Sequence, residues 1–454
     1  MARLFGTDGI RGVAGRDLYP ELVCRIGQAA ARVLLDPASN GEQTVIIGRD
    51  SRLSGEMLVS ALTASFLLED YTVWEVGILP TPVLAFLTRK YPVTCGVMVT
   101  ASHNPVRDNG IKFFRTDGFK LSPEQEAAIE ELVREGKLSF EDGRVSFGKV
   151  LGRHDLINDY REVIRDHAGI APLQKKVKVV LDCAFGACAE LAPRIFTEWG
   201  ADLIAIGDRF DGARINVECG ATHPERVAEE VVRHGADLGF AFDGDGDRVI
   251  AVDHEGRVVD GDLIIALLAE RVPRYANQRM VVVTQMSNLG MEAYLAGKGY
   301  RVERTGVGDM KVLARMKEIG ADLGGEQSGH IILRDITTTG DGTLVALIVA
   351  SLVVESGRPL RELVSHIPLY PQRLTNLPLA DHRGWREDEE FMGRLSALEE
   401  EIRGRGGRIF VRPSGTEPKV RILVEAEDPA VVEEFSQRAR ELFLSWEKKR
   451  AQSG

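Results

Sequence analysis

An α/β protein of three related units, closed by a smaller α+β domain, is predicted by three observations. Apolar strand-like runs alternate with amphipathic helical segments through most of the chain, the pattern of layered α/β sheets. An apolar strand, a small-residue turn and a helix follow one another three times, as TVIIGRDSRLSG at 44–55, VKVVLDCAFGA at 177–187 and MVVVTQMSNLG at 280–290. Such self-similarity marks a repeated unit. After residue 378 the texture changes to a charged helix at 385–404, two β runs around 412–425 and a final helix at 429–450.

The first helix begins near Ser54, with Glu56 in a first turn where the helix dipole favours an acid. Further helices follow Ser122, His223 and Gly308. The most apolar window, TLVALIVASLVV at 343–354, stops at Glu355, short of the roughly 20 residues a bilayer crossing requires, and reads as a buried helix. Charged, Gly-containing 139–149 closes the first unit, 251–262 reads as a hairpin leading into the third, and 367–378, with three prolines, reads as a linker. The expected domains are 1–150, 151–253, 254–368 and 369–454.

At 454 residues the chain exceeds one ordinary core. Its 57 Lys and Arg against 68 Asp and Glu leave a net charge of −11, unlike a basic nucleic-acid binder. A content of 44% hydrophobic and 28% charged residues argues against disorder. The five cysteines contain no CxxC pair and read as reduced core residues. A zinc site at Cys183 and Cys188 fails for want of a second ligand pair with suitable spacing. The N-terminus MARLFGTDGIRG holds no extended apolar stretch, so the cytoplasm is the expected compartment, with no membrane partner.

Four loops carry the chemistry. TASHNPVRDNGIKFF (100–114) follows the apolar strand GVMVT, and ligands in open α/β sheets gather at carboxyl ends of strands. Its Ser102, beside His103 and near Lys112, can serve as a covalent nucleophile if a base or a cation activates it; a capping Ser in a turn is the plainer alternative. DGDGDR (243–248) sets Asp243, Asp245 and Asp247 on alternate residues, a concentration of charge that calls for a hard cation such as Mg²⁺. An EF-hand fails, because Arg248 and His254 stand where that loop needs Gly and Glu. GGEQSGH (324–330) offers Glu326, Ser328 and His330, groups suited to sugar hydroxyls, with His330 equally readable as an ordinary hydrogen-bonded histidine. RPSGTEPKVR (412–421) brings Arg412, Ser414, Gly415, Thr416 and Arg421 into a phosphate cradle.

Taken in order, GTDGIRG, TASHNP, DGDGDR, GGEQSGH and RPSGTEP resemble the α-D-phosphohexomutase superfamily, from Gly6 into the C-terminal domain. CGATHPE (219–225), NGIKFF and Gln327 are most similar to its glucosamine-phosphate branch, with branches acting on mannose or glucose phosphates as the nearest alternative. The resemblance implies three mixed-sheet α/β domains and a different, mobile C-terminal domain around a central cleft. It further implies a covalent phosphate on Ser102, Mg²⁺ held by Ser102 with Asp243, Asp245 and Asp247, and sugar contacts from Glu326 and Ser328. The non-reacting phosphate would rest on Arg412, Ser414, Gly415, Thr416 and Arg421. Lys112, Arg11 and His103 are implied near the transferring phosphoryl group, with Lys112 as proton acceptor if its neighbours lower its pKa. A sugar phosphate is the implied partner, primed by glucosamine 1,6-bisphosphate or glucose 1,6-bisphosphate, and the resemblance leaves room for a homodimer. TGVGD (305–309) departs from the family pattern, which often has Lys or Asn before VGD; Gly306 offers no side chain there. A serine phosphatase of the alkaline type is disfavoured, because the nine histidines form no zinc-binding cluster. A non-catalytic sugar-phosphate sensor is the remaining alternative.

Overall fold

The computed structural model describes residues 4–6, 8–35, 43–136, 146–167, 176–276, 278–379, 381, 383–413 and 418–453. Within 139–149, expected to close the first unit, residues 139–145 lie outside the described residues. The chain divides into two compact units, Met1–Val282 with Thr305–Val364, and Val283–Arg304 with Ser365–Gly454.

In the first unit, six strands run in the order Ile10–Val13, Asp108–Arg115, Cys95–Val99, Gln43–Arg49, Tyr71–Ile78, Val150–Gly152. The last four are mutually parallel, and Asp108–Arg115 is antiparallel to both its neighbours. Val45, Ile46, Ile47 and Val97 are fully buried, as parallel strands covered by helices on both faces must be. The expected helix after Ser122 runs Pro123–Glu135 and opens with a capping box: the Ser122 hydroxyl accepts from the Gln125 N–H, while the Gln125 side chain accepts from the Ser122 N–H. A five-stranded sheet follows, Val258–Val259, Val249–Asp253, Leu238–Phe242, Lys178–Asp182, Asp202–Ile206, again antiparallel at one end and parallel at the other. Leu323–Gly325 pairs antiparallel with Ile331–Leu333.

These sheets share a feature that places the site. Three of the four motif loops leave an inner strand and return antiparallel on its neighbour: 100–107 between Cys95–Val99 and Asp108–Arg115, 243–248 between Leu238–Phe242 and Val249–Asp253, and 326–330 between Leu323–Gly325 and Ile331–Leu333. NGIKFF, read as loop, is therefore strand. Its antiparallel register sets Lys112 opposite Met98, and six of the eight residues of Asp108–Arg115 are buried.

The apolar window forms helix Gly342–Ser356, buried along most of its length. Among the described residues no helix is long and apolar enough to cross a membrane. Asp341 caps this helix, accepting the Leu344 N–H at 3.0 Å and the Tyr160 hydroxyl at 2.6 Å. Burial pushes its carboxyl up to about 6. A carboxyl raised on folding is protonated in the native chain at pH values where the unfolded chain has already ionised, so stability falls as pH climbs from about 4 to about 6. Asp341→Asn keeps the cap and removes the titration. Thermal unfolding across that range should show a flatter pH dependence for the variant, with a gain on the order of 3 kcal/mol at most above it; identical slopes would refute the assignment.

In the second unit, Gln372–Pro378, Lys419–Ala426 and Gly407–Pro413 form an antiparallel sheet. The expected linker at 367–378 thus ends as an edge strand, where proline is tolerated because one side needs no N–H donor. Helices Glu389–Arg403 and Pro429–Ser453 supply Phe391, Leu395, Phe435 and Phe443 to its core, with Trp385 and Trp446. Glu425, fully buried, accepts the Leu289 N–H at 2.7 Å and pairs with Arg408, which fastens helix Leu289–Gly297 to this sheet.

Candidate active site

Ser102 stands at the centre of the first unit's loops, 1% exposed, with φ of +52° in the left-handed region. Its hydroxyl donates to Asp243 Oδ2 at 2.5 Å and lies 3.4 Å from His103 Nδ1. Its N–H donates to Thr100 Oγ1 at 2.9 Å, and its carbonyl accepts from Arg52 and Asn216, each at 2.8 Å.

Asp243, Asp245 and Asp247 are buried and each turns one carboxylate oxygen inward, all within 4.8 Å of one another. The intervening glycines permit this. A Cβ on Gly246, where φ is +72°, would come 2.4 Å from Cys188 Sγ, and one on Gly244 would come 2.7 Å from the Ser102 carbonyl oxygen. Burial, then the charges of Asp247 and Asp245, push the Asp243 carboxyl well above the usual carboxylate range. Asp245 accepts from Thr81 at 2.6 Å and Lys112 at 2.9 Å through Oδ2, while its buried Oδ1 has no hydrogen-bond partner. An orphaned buried carboxylate oxygen beside two more acids fits a hard divalent cation.

Lys112, 1% exposed, reaches Asp245, Asp8 at 3.1 Å and Asp247 at 3.2 Å. Burial alone would lower its ammonium, but Asp245, Asp8 and Asp247 outweigh burial and hold it well above the usual lysine value. The neighbours thus act opposite to the direction expected for a proton acceptor, as long as their charge is uncompensated. Asp8 continues the network to Lys120 and Arg11, and Lys120 pairs in turn with Asp309. Arg11 also donates to Asn104 Oδ1 at 3.0 Å. The charge of Arg248, then burial, then Arg11 depress His103 to about 3, so its imidazole beside Ser102 is neutral.

The sugar-loop residues part ways. Glu326 is nearly buried and accepts the Gly308 N–H at 3.3 Å, whereas Ser328 is exposed. His330, expected among sugar contacts, is 2% exposed. Its Nε2 accepts the Gly340 N–H at 2.9 Å, and its Nδ1 faces Asp247 Oδ1 at 3.5 Å. One nitrogen is thus hydrogen-bonded inside the protein and the other lies beside a buried carboxylate oxygen. In the second unit Arg412 and Arg421 stand directly opposite across two antiparallel strands, like charges on one face that an anion would reconcile. Arg421 Nε is buried without a hydrogen-bond partner. Ser414, Gly415 and Thr416 lie outside the described residues.

Models of the four phosphoglucomutase/phosphomannomutase domains match this chain: α/β/α domain I at residues 2–139, domain II at 158–256, domain III at 260–370 and the C-terminal domain at 374–442. The chain belongs to the phosphoglucomutase/phosphomannomutase family. A phosphoglucosamine mutase of Thermoanaerobacter pseudethanolicus is 46% identical over 99% of this chain and 100% of its own length. A phosphoglucomutase/phosphomannomutase family protein from Burkholderia thailandensis superposes with a TM-score of 0.80 at 25% identity, covering 98% of this chain and 97% of that one. The Aspergillus fumigatus N-acetylphosphoglucosamine mutase, solved with GlcNAc-6P and magnesium, shares the fold at a TM-score of 0.68 and 18% identity, over 97% of this chain and 95% of its own.

As a phosphohexomutase the protein is an isomerase, and several of its polar groups escaped sequence reasoning. Asp8, Lys120 and Asp309 look like solvated charges along the chain, and Arg248 like the end of a motif. Only their meeting across 112 and 189 residues of sequence reveals an ion-pair network. Asp8 within GTDGIRG offered a signal, a carboxylate between Thr7 and Gly9 in a glycine-rich motif.

Proposed function

We propose that the protein interconverts glucosamine 6-phosphate and glucosamine 1-phosphate through a phosphoserine at Ser102 and glucosamine 1,6-bisphosphate, a step toward UDP-N-acetylglucosamine and cell-wall precursors. The observation that carries this reading is the 2.5 Å approach of Ser102 Oγ to one of three clustered, buried aspartates whose other two members hold Lys112. The identity of 46% to a phosphoglucosamine mutase over nearly its whole length supports the amino-sugar substrate.

In the first half-reaction the Oγ–P bond of phosphoserine 102 breaks as a bond forms from phosphorus to sugar O1, and the O1 proton passes to Ser102 Oγ. The bisphosphate then presents its other end. The O6–P bond breaks, phosphorus returns to Ser102 Oγ, and the serine proton passes to O6. Phosphoryl transfer depends mostly on position and charge stabilisation. Arg11 and Lys112 supply positive charge along the path, and neutral His103 adds none of its own. A Mg²⁺ held by Asp243, Asp245, Asp247 and an oxygen on Ser102 would offset charge on the phosphoryl group. Glu326 and Ser328 would select the sugar, and Arg412 and Arg421, with Ser414, Gly415 and Thr416, would hold the idle phosphate. The segments 1–150, 151–253, 254–368 and 369–454 thus provide the phosphoserine, the cation site, the sugar contacts and the cradle.

A coupled assay with glucosamine, mannose and glucose 6-phosphates, each primed with its 1,6-bisphosphate and supplied with Mg²⁺, tests the substrate. Glucosamine 6-phosphate should lead in kcat/KM by at least about tenfold. A lead for mannose or glucose would transfer the same chemistry to that sugar, and phosphate release without isomerisation would replace the mutase by a phosphatase.

A further inference from the structure

The left-handed backbone of Ser102 needs an explanation, because a non-glycine residue there is strained and persists only where its surroundings over-determine it. The surroundings are the two groups on its carbonyl. Arg52, 1% exposed, spends its guanidinium on one loop: Nη2 donates to the carbonyls of Ser102 and Asn104, both at 2.8 Å, and Nη1 to those of Pro105 at 2.7 Å and Asp108 at 2.9 Å. Its Nε is held by Asp50 Oδ2 at 3.0 Å, the same oxygen that accepts the Thr100 hydroxyl at 2.7 Å. Thr100 Oγ1 in turn receives the Ser102 N–H. Asn216 arrives from a different loop, itself at φ +58°, and gives its Nδ2 to the Ser102 carbonyl. That loop leans on the turn bearing Arg52: a Cβ on Gly212 would strike the Ser51 carbonyl oxygen at 2.3 Å, and Ser51 Oγ donates to the Phe185 carbonyl at 2.7 Å.

We propose that Arg52 and Asn216 are positioning residues for phosphoryl transfer: by fixing the Ser102 carbonyl from two sides they hold its backbone left-handed and keep its Oγ aimed at the aspartate cluster. The inference rests on Ser102 being the phosphoacceptor. Neither side chain needs to touch sugar or phosphate. Loosening the carbonyl therefore slows transfer to and from Ser102 without weakening sugar-phosphate binding.

The test uses the full-length protein as wild type, Asn216→Ala, Arg52→Lys and Ser102→Ala. Two quantities are read: the rate at which dephosphorylated enzyme gains one phosphate from glucose 1,6-bisphosphate, by intact mass, and steady-state kcat and KM for glucosamine 6-phosphate. Asn216→Ala should slow phosphate gain and kcat about tenfold, the scale of one lost hydrogen bond expressed in a barrier, with KM within about twofold and the melting temperature lowered by no more than a few degrees. Arg52→Lys keeps the charge but loses the fork that serves four carbonyls, and should slow both rates about a hundredfold with KM again unmoved. Should Arg52→Lys not fold, Asn216→Ala, on a half-buried loop residue, decides alone. Unchanged rates in Asn216→Ala, or a raised KM at unchanged kcat, overturn the inference while Ser102→Ala stays inactive. Isomerisation that survives Ser102→Ala overturns the phosphoserine reading instead, and this inference with it.

Discussion

Ser102→Ala is expected to lower isomerisation by at least about 10⁴-fold, because the proposed route passes the phosphoryl group through this hydroxyl. The substitution is mild in every other respect. Alanine already has the Cβ that the left-handed backbone accommodates, and the carbonyl contacts to Arg52 and Asn216 do not involve the side chain. Asp243 loses the hydroxyl on Oδ2 but keeps the Arg248 N–H on Oδ1 at 3.1 Å. Stability should change by no more than about 1 kcal/mol. A coupled assay beside intact-mass analysis after exposure to glucose 1,6-bisphosphate checks both points: the variant should gain no phosphate and yield no glucosamine 1-phosphate. Residual activity within tenfold of wild type would mean that the phosphoryl group never rests on this serine.

Lys112→Met is expected to be nearly as damaging to activity, by about 10³-fold or more, and far more damaging to the fold. Its ammonium is shared among Asp8, Asp245 and Asp247. Asp8 retains Lys120 and Arg11, but Asp245 loses the cationic partner it has among the described residues. Removing one side of a buried ion pair costs about 3–5 kcal/mol, and urea unfolding without added metal should show a loss of that size. Saturating Mg²⁺ should return a larger share of stability to the variant than to wild type, since a cation on the aspartates relieves the charge that Lys112 no longer offsets. An equal gain in both proteins would place the cation elsewhere. The same reasoning bears on proton transfer. With Asp245 and Asp247 compensated, their hold on the ammonium would weaken while burial continues to favour the neutral amine.

Sequence periodicity announced most of the framework. The three strand–turn–helix segments, the capping Ser122 and the apolar helix at 342–356 are local signals, carried by neighbours in the chain. Asp108–Arg115 was hidden because it opens with Asp, Asn and Gly, which imitate a turn. Those residues are there for contact: a Cβ on Gly110 would meet the carbonyl oxygens of Ile10 and Thr100, each at 2.6 Å. Prolines disguised Gln372–Pro378 in the same way. Within the site, the residues to which the proposal gives a chemical role stood out by type and spacing, as Ser102 and the three aspartates do. Residues whose role is support did not. Arg52 sits in GRDSR with nothing to distinguish it from a surface arginine, and its meaning lies in carbonyls about fifty residues further on. His330 is conspicuous by residue type, and its Nε2 accepts the Gly340 N–H inside the protein.

The shared placement of the three loops has a consequence for how the protein comes to life during folding. Ser102 and Asp243 are 141 residues apart, and Lys112 and Asp245 are 133 apart. Each loop can be shaped by its own sheet, yet the contacts that join Ser102 to Asp243 and Lys112 to Asp245 and Asp247 run between different sheets. Contacts so distant in sequence form late, after the entropy of closing long loops has been met. The aspartates and the serine therefore gain their partners only through contacts whose cost is the closure of long loops, so the site is expected to form later than the sheets that carry it.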